Sequence, residues 1–261
     1  PHHPDYTPGG SSSGSAAAVA DHMVPVAIGT QMMGSVLRPA AYCGVLGFKP
    51  SFGVISRYGV MPSSRELDHV GIFARDMRDI ALVLSILAGA DDRDADCYGS
   101  IPGLNTTIPH LLKPDPLRFA VVLGPYEHQM DSDAATALDN GITSLASAGA
   151  MMVNVNLPPL FDHYFDLVQD LVAAGMATNH GQDYDRDGEL MSAELRQTIE
   201  RGRELSAIAY AQARHTVVHY GLTLSQLFSD VDAIITPVTT GAAPQGLEST
   251  GSPIFCALWT L

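Results

Sequence analysis

The chain has 261 residues, 46% hydrophobic and 16% charged, which fits a globular protein with a sizeable core and excludes a disordered one. That length holds one large domain or two small ones. The formal net charge of −14, from 28 acidic and 14 basic residues, argues against non-specific nucleic-acid binding, which needs clustered Lys and Arg.

Residues 1–14, rich in Pro, Gly and Ser, read as loop. Their start, PHHPDYTPGG, has neither the apolar core nor the charged flank of a signal peptide. The chain opens without Met and closes on the apolar run LWTL, so both ends read as cut. The Ala-rich segment 15–23 predicts a short helix, and 25–28 a short strand before a glycine turn. Residues 76–88 predict a helix with acid near its start and Gly89 at its end. The apolar stretch 80–90 is too short to span a bilayer.

From Leu117 the pattern changes. Residues 118–123 predict a strand. Residues 133–148 predict a helix with Ala134, Leu138, Ile142 and Leu145 on one face and Gly149 as its C-terminal cap. Residues 151–155 predict a second strand, parallel to the first because a helix makes the crossover. Two longer helices follow near 161–177 and 206–228, then a buried strand at 231–236. This alternation predicts an α/β protein with a mostly parallel sheet.

The stretch carrying chemistry is 7–50, TPGGSSSGSAAAVADHMVPVAIGTQMMGSVLRPAAYCGVLGFKP. It holds two Ser/Gly turns separated by a short helix and a strand. A serine beside glycines in a turn can expose its hydroxyl among free backbone N–H groups, as a nucleophile and an oxyanion hole require. The run reads GlyGlySerSerSerGlySer at 9–15, GlyThrGlnMetMetGlySer at 29–35, ProAlaAlaTyrCysGly at 39–44 and GlyPheLysPro at 47–50. In order and spacing it closely resembles the amidase signature. SRYGV at 56–60, LDHVG at 67–71 and the distal TGSPIFCALWTL resemble further blocks of that family.

The resemblance implies a single domain over 1–261, cut at both ends, with a mixed, mostly parallel central sheet flanked by helices. It implies a Ser–cis-Ser–Lys triad that hydrolyses a carboxylic amide through an acyl-enzyme. Ser35 matches the nucleophile and Ser11, 24 residues earlier, the serine that relays its proton. The backbone N–H groups of Met32, Met33, Gly34 and Ser35 match the oxyanion hole, and Ser12 and Gln31 stand as supporting residues. The family's catalytic lysine lies upstream of the first serine turn, outside this chain. Lys49 matches a different family lysine, and Lys113 is the only other one present. Met32 and Met33 replace small residues; if position 33 needs a positive φ, methionine is strained there as glycine is not. Gln31, Leu37 and Arg38 read as subfamily variation, with the arginine shifted one place. A small-molecule amide is the expected substrate, with no cofactor, nucleic acid or membrane, a homodimer as a candidate assembly, and a cytoplasmic location. The alternatives are a catalytically impaired relative and a glutaminase-type component of a tRNA-dependent amidotransferase.

Other motifs compete less well. Residues 10–14 fit the nucleophile elbow GxSxG, but PHHPDYTP before them cannot be the strand that the elbow requires. Residues 183–194, DYDRDGELMSAE, fit a calcium loop, with Asp183, Asp185, Asp187 and Glu194 as ligands around Gly188. They equally fit an acidic connection between helices, with Ser192 starting the next. A single copy favours the connection, so no metal is expected. His215 and His219 form a lone HxxxH pair, read as surface or packing residues. Cys43, Cys97 and Cys256 form no CxxC pair and read as reduced thiols.

Overall fold

A computed structural model of the chain describes residues 1–98 and 116–261; Lys113 lies outside them. The architecture is mixed α/β with a parallel sheet flanked by helices, as the sequence predicts. The described strands form two groups of three, one wholly antiparallel and one wholly parallel.

The N-terminal group follows α1 (Ser13–Ala20) and contains β1 (Val26–Gln31), β2 (Leu46–Phe48) and β3 (His69–Ala74), with α2 (Leu37–Cys43) between β1 and β2. β3 lies at the centre, antiparallel to both neighbours, and pairs His69 with Gln31 and Ala74 with Val26. All six of its residues are buried, so its sequence, HVGIFA, shows no polar alternation. That is why residue patterning does not mark it as a strand. α3 (Met77–Leu87) packs Ile80 and Leu84 against this sheet, and the Asp76 carboxylate caps its N-terminus by accepting from Arg78 N.

The C-terminal group is β5 (Met151–Asn154), β4 (Arg118–Val121) and β6 (Ala233–Ile235), with β4 central. α4 (Ser132–Ser147) makes the expected parallel crossover from β4 to β5. Asp131 caps it by accepting from the N–H groups of Asp133 and Ala134. The longest helix, α5 (Tyr164–Asp187), packs on α6 (Ala193–Glu204) and α7 (Ala207–Leu227). The main core lies along α5: Val168 and Leu171 meet Phe161, Tyr220, Leu67 and the segment around α8 (Ile254–Ala257). Phe161 is fully buried and stacks on Tyr220 with ring centroids 4.4 Å apart.

The acidic segment with the calcium-loop pattern takes no loop conformation. α5 runs ten residues beyond its expected end at 177, so Asp183, Asp185 and Asp187 lie on helix. Arg186 pairs with Asp183 and Asp187 at 2.7 and 2.5 Å, and Arg203 pairs with Asp185 at 2.8 Å. These pairs and the packing of α6 favour continued helix over a ligand loop. Ser192 starts the next helix as predicted, its hydroxyl accepting from Leu195 N at 3.2 Å. Among the described residues no helix is long and apolar enough to cross a membrane.

Candidate active site

The two serine turns meet at the N-terminal edge of the antiparallel sheet. Gly9 has φ +80°, and the Gly10–Ser11 peptide is cis. Ser12 follows, and its N–H donates to Ser35 O at 3.2 Å, which ties the first turn to the second. The Ser12 hydroxyl donates to Thr30 O and accepts from Thr30 N, each at 3.2 Å. It therefore docks on β1 instead of capping α1. Gly29 makes this approach possible, because a Cβ there would collide with Ser12 and Phe73.

Beyond β1 the chain turns through Met32, Met33 and Gly34 to Ser35, just before α2. Gln31 organises this turn. Its side chain is buried; its oxygen accepts from the N–H groups of Val36 and Leu37 at 2.9 and 3.1 Å. Its amide nitrogen donates to Thr260 Oγ1 at 3.0 Å, and that hydroxyl donates to Met33 O at 3.3 Å. A residue 229 positions away thus braces the turn from behind. Gly34 is buried against Pro253 and Cys256, with no room for a Cβ at ordinary distance. Among the described residues, no acceptor takes the backbone N–H of Met32, Met33, Gly34 or Ser35.

The strain considered for Met33 does not arise. His22 is the only described non-glycine residue with positive φ, and both methionines pack against the α5 core. The flexible thioether chain fills that space.

Arg38 is a second clamp. It is buried, and its guanidinium donates to Gly10 O at 2.7 Å and to Gly251 O at 2.5 Å. It thereby joins the peptide group before Ser11 to the TGSP segment in front of α8. Burial lowers its pKa, with the Cys256 thiol and Tyr42 acting in the opposite sense. Cys256 itself is pushed up to about 12 by burial, so it stays a thiol, donating to Val238 O at 3.1 Å.

Ser11 and Ser35 line one small cavity of ≈ 60 Å³ together with Met32, Thr30, His69, Asp68, Arg57 and residues of the 60–63 loop. Ser11 is exposed and Ser35 half-buried. His69 Nδ1 donates to Leu67 O at 2.7 Å, and burial, reinforced by Lys49, lowers its pKa to about 4. The ring is therefore neutral near pH 7. Asp68 accepts from the N–H groups of Ser63 and Ser64 at 2.8 and 3.0 Å, while burial raises its pKa. Arg57 is held by Asp94 and Asp96 at 3.0 and 2.7 Å. Lys49, the one lysine among the described residues, is lowered to about 8 by burial. It donates to Pro50 O at 2.9 Å and does not line the cavity.

The structure thus brings Ser11, Ser35 and Met32 to one cavity, with Ser12 and Gln31 bonded behind it and Met33 and Gly34 in the same turn. Sequence reading assigned no role to Arg38, His69, Asp68 or Arg57. The last three fall in or beside the blocks at 56–60 and 67–71, so the signal was present without a role attached. His215 and His219 sit exposed on α7 with ring centroids 4.5 Å apart, away from this cavity.

A family model described as Amidase matches residues 1–259. Over 188 residues the chain is 36% identical to the A subunit of glutamyl-tRNA(Gln) amidotransferase from Chlorobaculum tepidum, covering 70% of this chain and 39% of that protein. It is 30% identical over 274 residues to the corresponding protein of Gloeothece citriformis, covering 95% of this chain and 56% of that protein. A solved structure described as a crystal structure of amidase superposes with a TM-score of 0.82 at 30% identity, covering 99% of this chain and 57% of that one. The crystal structure of the Thermotoga maritima glutamyl-tRNA(Gln) amidotransferase A subunit superposes with a TM-score of 0.78 at 25% identity, covering 98% and 57%. The chain therefore spans between 39% and 56% of the length of the two sequence relatives.

Proposed function

The chain belongs to the amidase family, and from that premise we propose that it carries the nucleophile half of an amide hydrolase, with Ser35 attacking the substrate and Ser11 relaying the proton. The observation that carries this reading is the convergence of both serines on one cavity, beside a turn whose backbone N–H groups have no acceptor among the described residues. Ser35 Oγ bonds to the amide carbon as its proton passes to Ser11, and the Ser11 proton passes to a neutral amine. The family pattern places that amine on a lysine upstream of residue 1. The oxyanion accepts from the N–H groups of Met32, Met33, Gly34 and Ser35. Collapse of this intermediate breaks the C–N bond, and the relayed proton goes to the departing nitrogen. Ammonia or an amine leaves and an acyl-Ser35 ester remains. Water, deprotonated by the same relay, cleaves the ester and restores the Ser35 hydroxyl as the carboxylic acid departs.

Fluorophosphonate labelling of the complete reading frame, wild type beside Ser35→Ala, tests the assignment. Labelling of the wild type that disappears in the variant is expected. A well-folded wild-type protein that takes no label overturns the reading and leaves a non-catalytic relative.

A second reading draws on the relatives that belong to glutamyl-tRNA(Gln) amidotransferase. There the amide would be that of glutamine, and the ammonia would be passed on within a complex. Glutamine hydrolysis that depends on co-purifying partner proteins would select it over a free-standing amidase.

A further inference from the structure

The turn before Ser35 is held from behind by three groups whose hydrogen-bond directions are fixed. The Gln31 side-chain oxygen accepts from the N–H groups of Val36 and Leu37 at 2.9 and 3.1 Å. That amide cannot be reversed, because its nitrogen would then face two donors. The nitrogen is left to donate to Thr260 Oγ1 at 3.0 Å. Thr260 Oγ1 accepts there, so its own single proton goes to another acceptor. Two carbonyls are within reach, Met33 O at 3.3 Å and Cys256 O at 3.5 Å, and Met33 O is the nearer. Thr260 is buried, and the α5 core sets its place. Ala257 and Leu258 belong to that core, Trp259 and Leu261 pack against it, and Tyr164 Oη donates to Ile254 O at 2.6 Å.

The Met33 carbonyl and the Gly34 N–H belong to one peptide group. Gly10–Ser11 is the only cis bond among the described residues, so the Met33–Gly34 peptide is trans and its C=O and N–H point in opposite directions. Glycine at 34 tolerates either orientation of that peptide, so the turn by itself does not choose between them. The Thr260 hydroxyl does choose. Drawing Met33 O toward Thr260 turns the Gly34 N–H away from Thr260, one residue before the Ser35 that lines the serine cavity. Resting on the amidase reading above, we propose that Thr260 is a positioning residue: its hydroxyl locks the rotation of the Met33–Gly34 peptide and holds the Gly34 N–H on the oxyanion. The donor is thus set before the reaction begins, from a residue 227 positions along the chain from the carbonyl it holds.

The test uses the complete protein and a fluorophosphonate, whose phosphoryl oxygen takes the place of the oxyanion. The labelling rate at saturating probe is read separately from the probe concentration that gives half that rate. Thr260→Val, close in shape but without the hydroxyl, is expected to slow the saturating rate about 10-fold or more, with the half-saturating concentration little changed. Thr260→Ser, which restores the hydroxyl, is expected to recover most of the loss. The pH midpoint of labelling is expected to be the same in all three proteins, because the base is untouched. Thermal unfolding is followed in parallel, and rates are compared below every transition. Should Thr260→Val not fold, Thr260→Ala takes its place with the same loss expected. A hydroxyl-free variant that labels at the wild-type rate, or a Thr260→Ser protein as slow as that variant, overturns the proposal. So does a shifted pH midpoint, which would put Thr260 in the proton relay. These failures leave Ser35 labelled in the wild type and sink the positioning role alone, whereas a well-folded wild type that takes no label sinks the amidase reading and this inference with it.

Discussion

The antiparallel region at the N-terminus and the parallel region at the C-terminus are similar in strand number and differ in what holds them. Of the six buried polar or charged residues among those described, five, Thr7, Gln31, Arg38, Ser64 and His69, lie in the first. The sixth, Thr260, reaches across to Gln31. The second region relies on apolar packing along α5, and α4 has no buried residue. A cleft of ≈ 620 Å³ runs between α4 and the ends of β4 and β5. Directional bonds set atoms to a few tenths of an ångström, as a catalytic turn requires. Apolar contact is adaptable and stabilises without fixing a geometry so narrowly.

Paired substitutions break this comparison most strongly. Phe161→Ala removes a fully buried ring from the α5 core and is expected to cost about 3–5 kcal/mol. Gln31→Leu leaves two N–H groups and the Thr260 hydroxyl without their partner and is expected to cost about 3 kcal/mol. Urea unfolding reads both. At a temperature where both variants are folded, Ser35 labelling is expected to persist in Phe161→Ala and to fall sharply in Gln31→Leu. Equal labelling of the two would remove the distinction between clamp and core.

Arg38 sharpens the comparison next. Arg38→Met takes the guanidinium donors from Gly10 O and Gly251 O and frees the turn that presents Ser11. A fall in kcat of about 100-fold with KM little changed is expected, because Arg38 acts as a positioning residue. Arg38→Lys should recover part of it. A variant whose KM rises while kcat is little changed, with no rescue by lysine, would assign Arg38 to substrate binding instead.

The smallest effect is a pH dependence. His69 has its pKa lowered from 6.5 to about 4, so the unfolded chain binds the proton more readily than the folded one between those values. Stability is therefore lost as pH falls through that window and is insensitive to this group above it. At pH 5 the loss relative to pH 8 is about 2 kcal/mol. His69→Asn, which keeps a donor for Leu67 O and does not titrate, should remove that part of the slope. Asp68, raised by burial, acts in the opposite sense and is common to both proteins, so it cancels in the difference. Identical slopes in wild type and variant would show that the imidazole is not desolvated.

Legibility divided along the same line. The crossover of β4, α4 and β5 was readable because helical period, cap residues and strand length are local properties. The helix over 206–228 was readable to within a residue of each end. β3 was not, because a strand buried on both faces loses alternation, nor was α2, whose start is set by Gln31 rather than by its own first turn. Within the site, the Ser/Gly turns were visible as composition. Arg38, His69 and Asp68 were visible only as letters in blocks, since what they do depends on what buries them.

The sequence by itself determined where the chain turns, which serines stand 24 residues apart beside glycines, and the α/β alternation, because each is specified within a few residues of chain. Only the tertiary structure decided that Met33 is unstrained, that the acidic calcium-like segment is helix, and that Met32 lines one cavity with Ser11 and Ser35. In each case the deciding atoms come from afar: the α5 core beneath the methionines, α6 beside the acidic segment, and Thr260, 229 residues from the glutamine it braces. Burial and bonding partners are properties of the packed chain, and no local run of residues contains them.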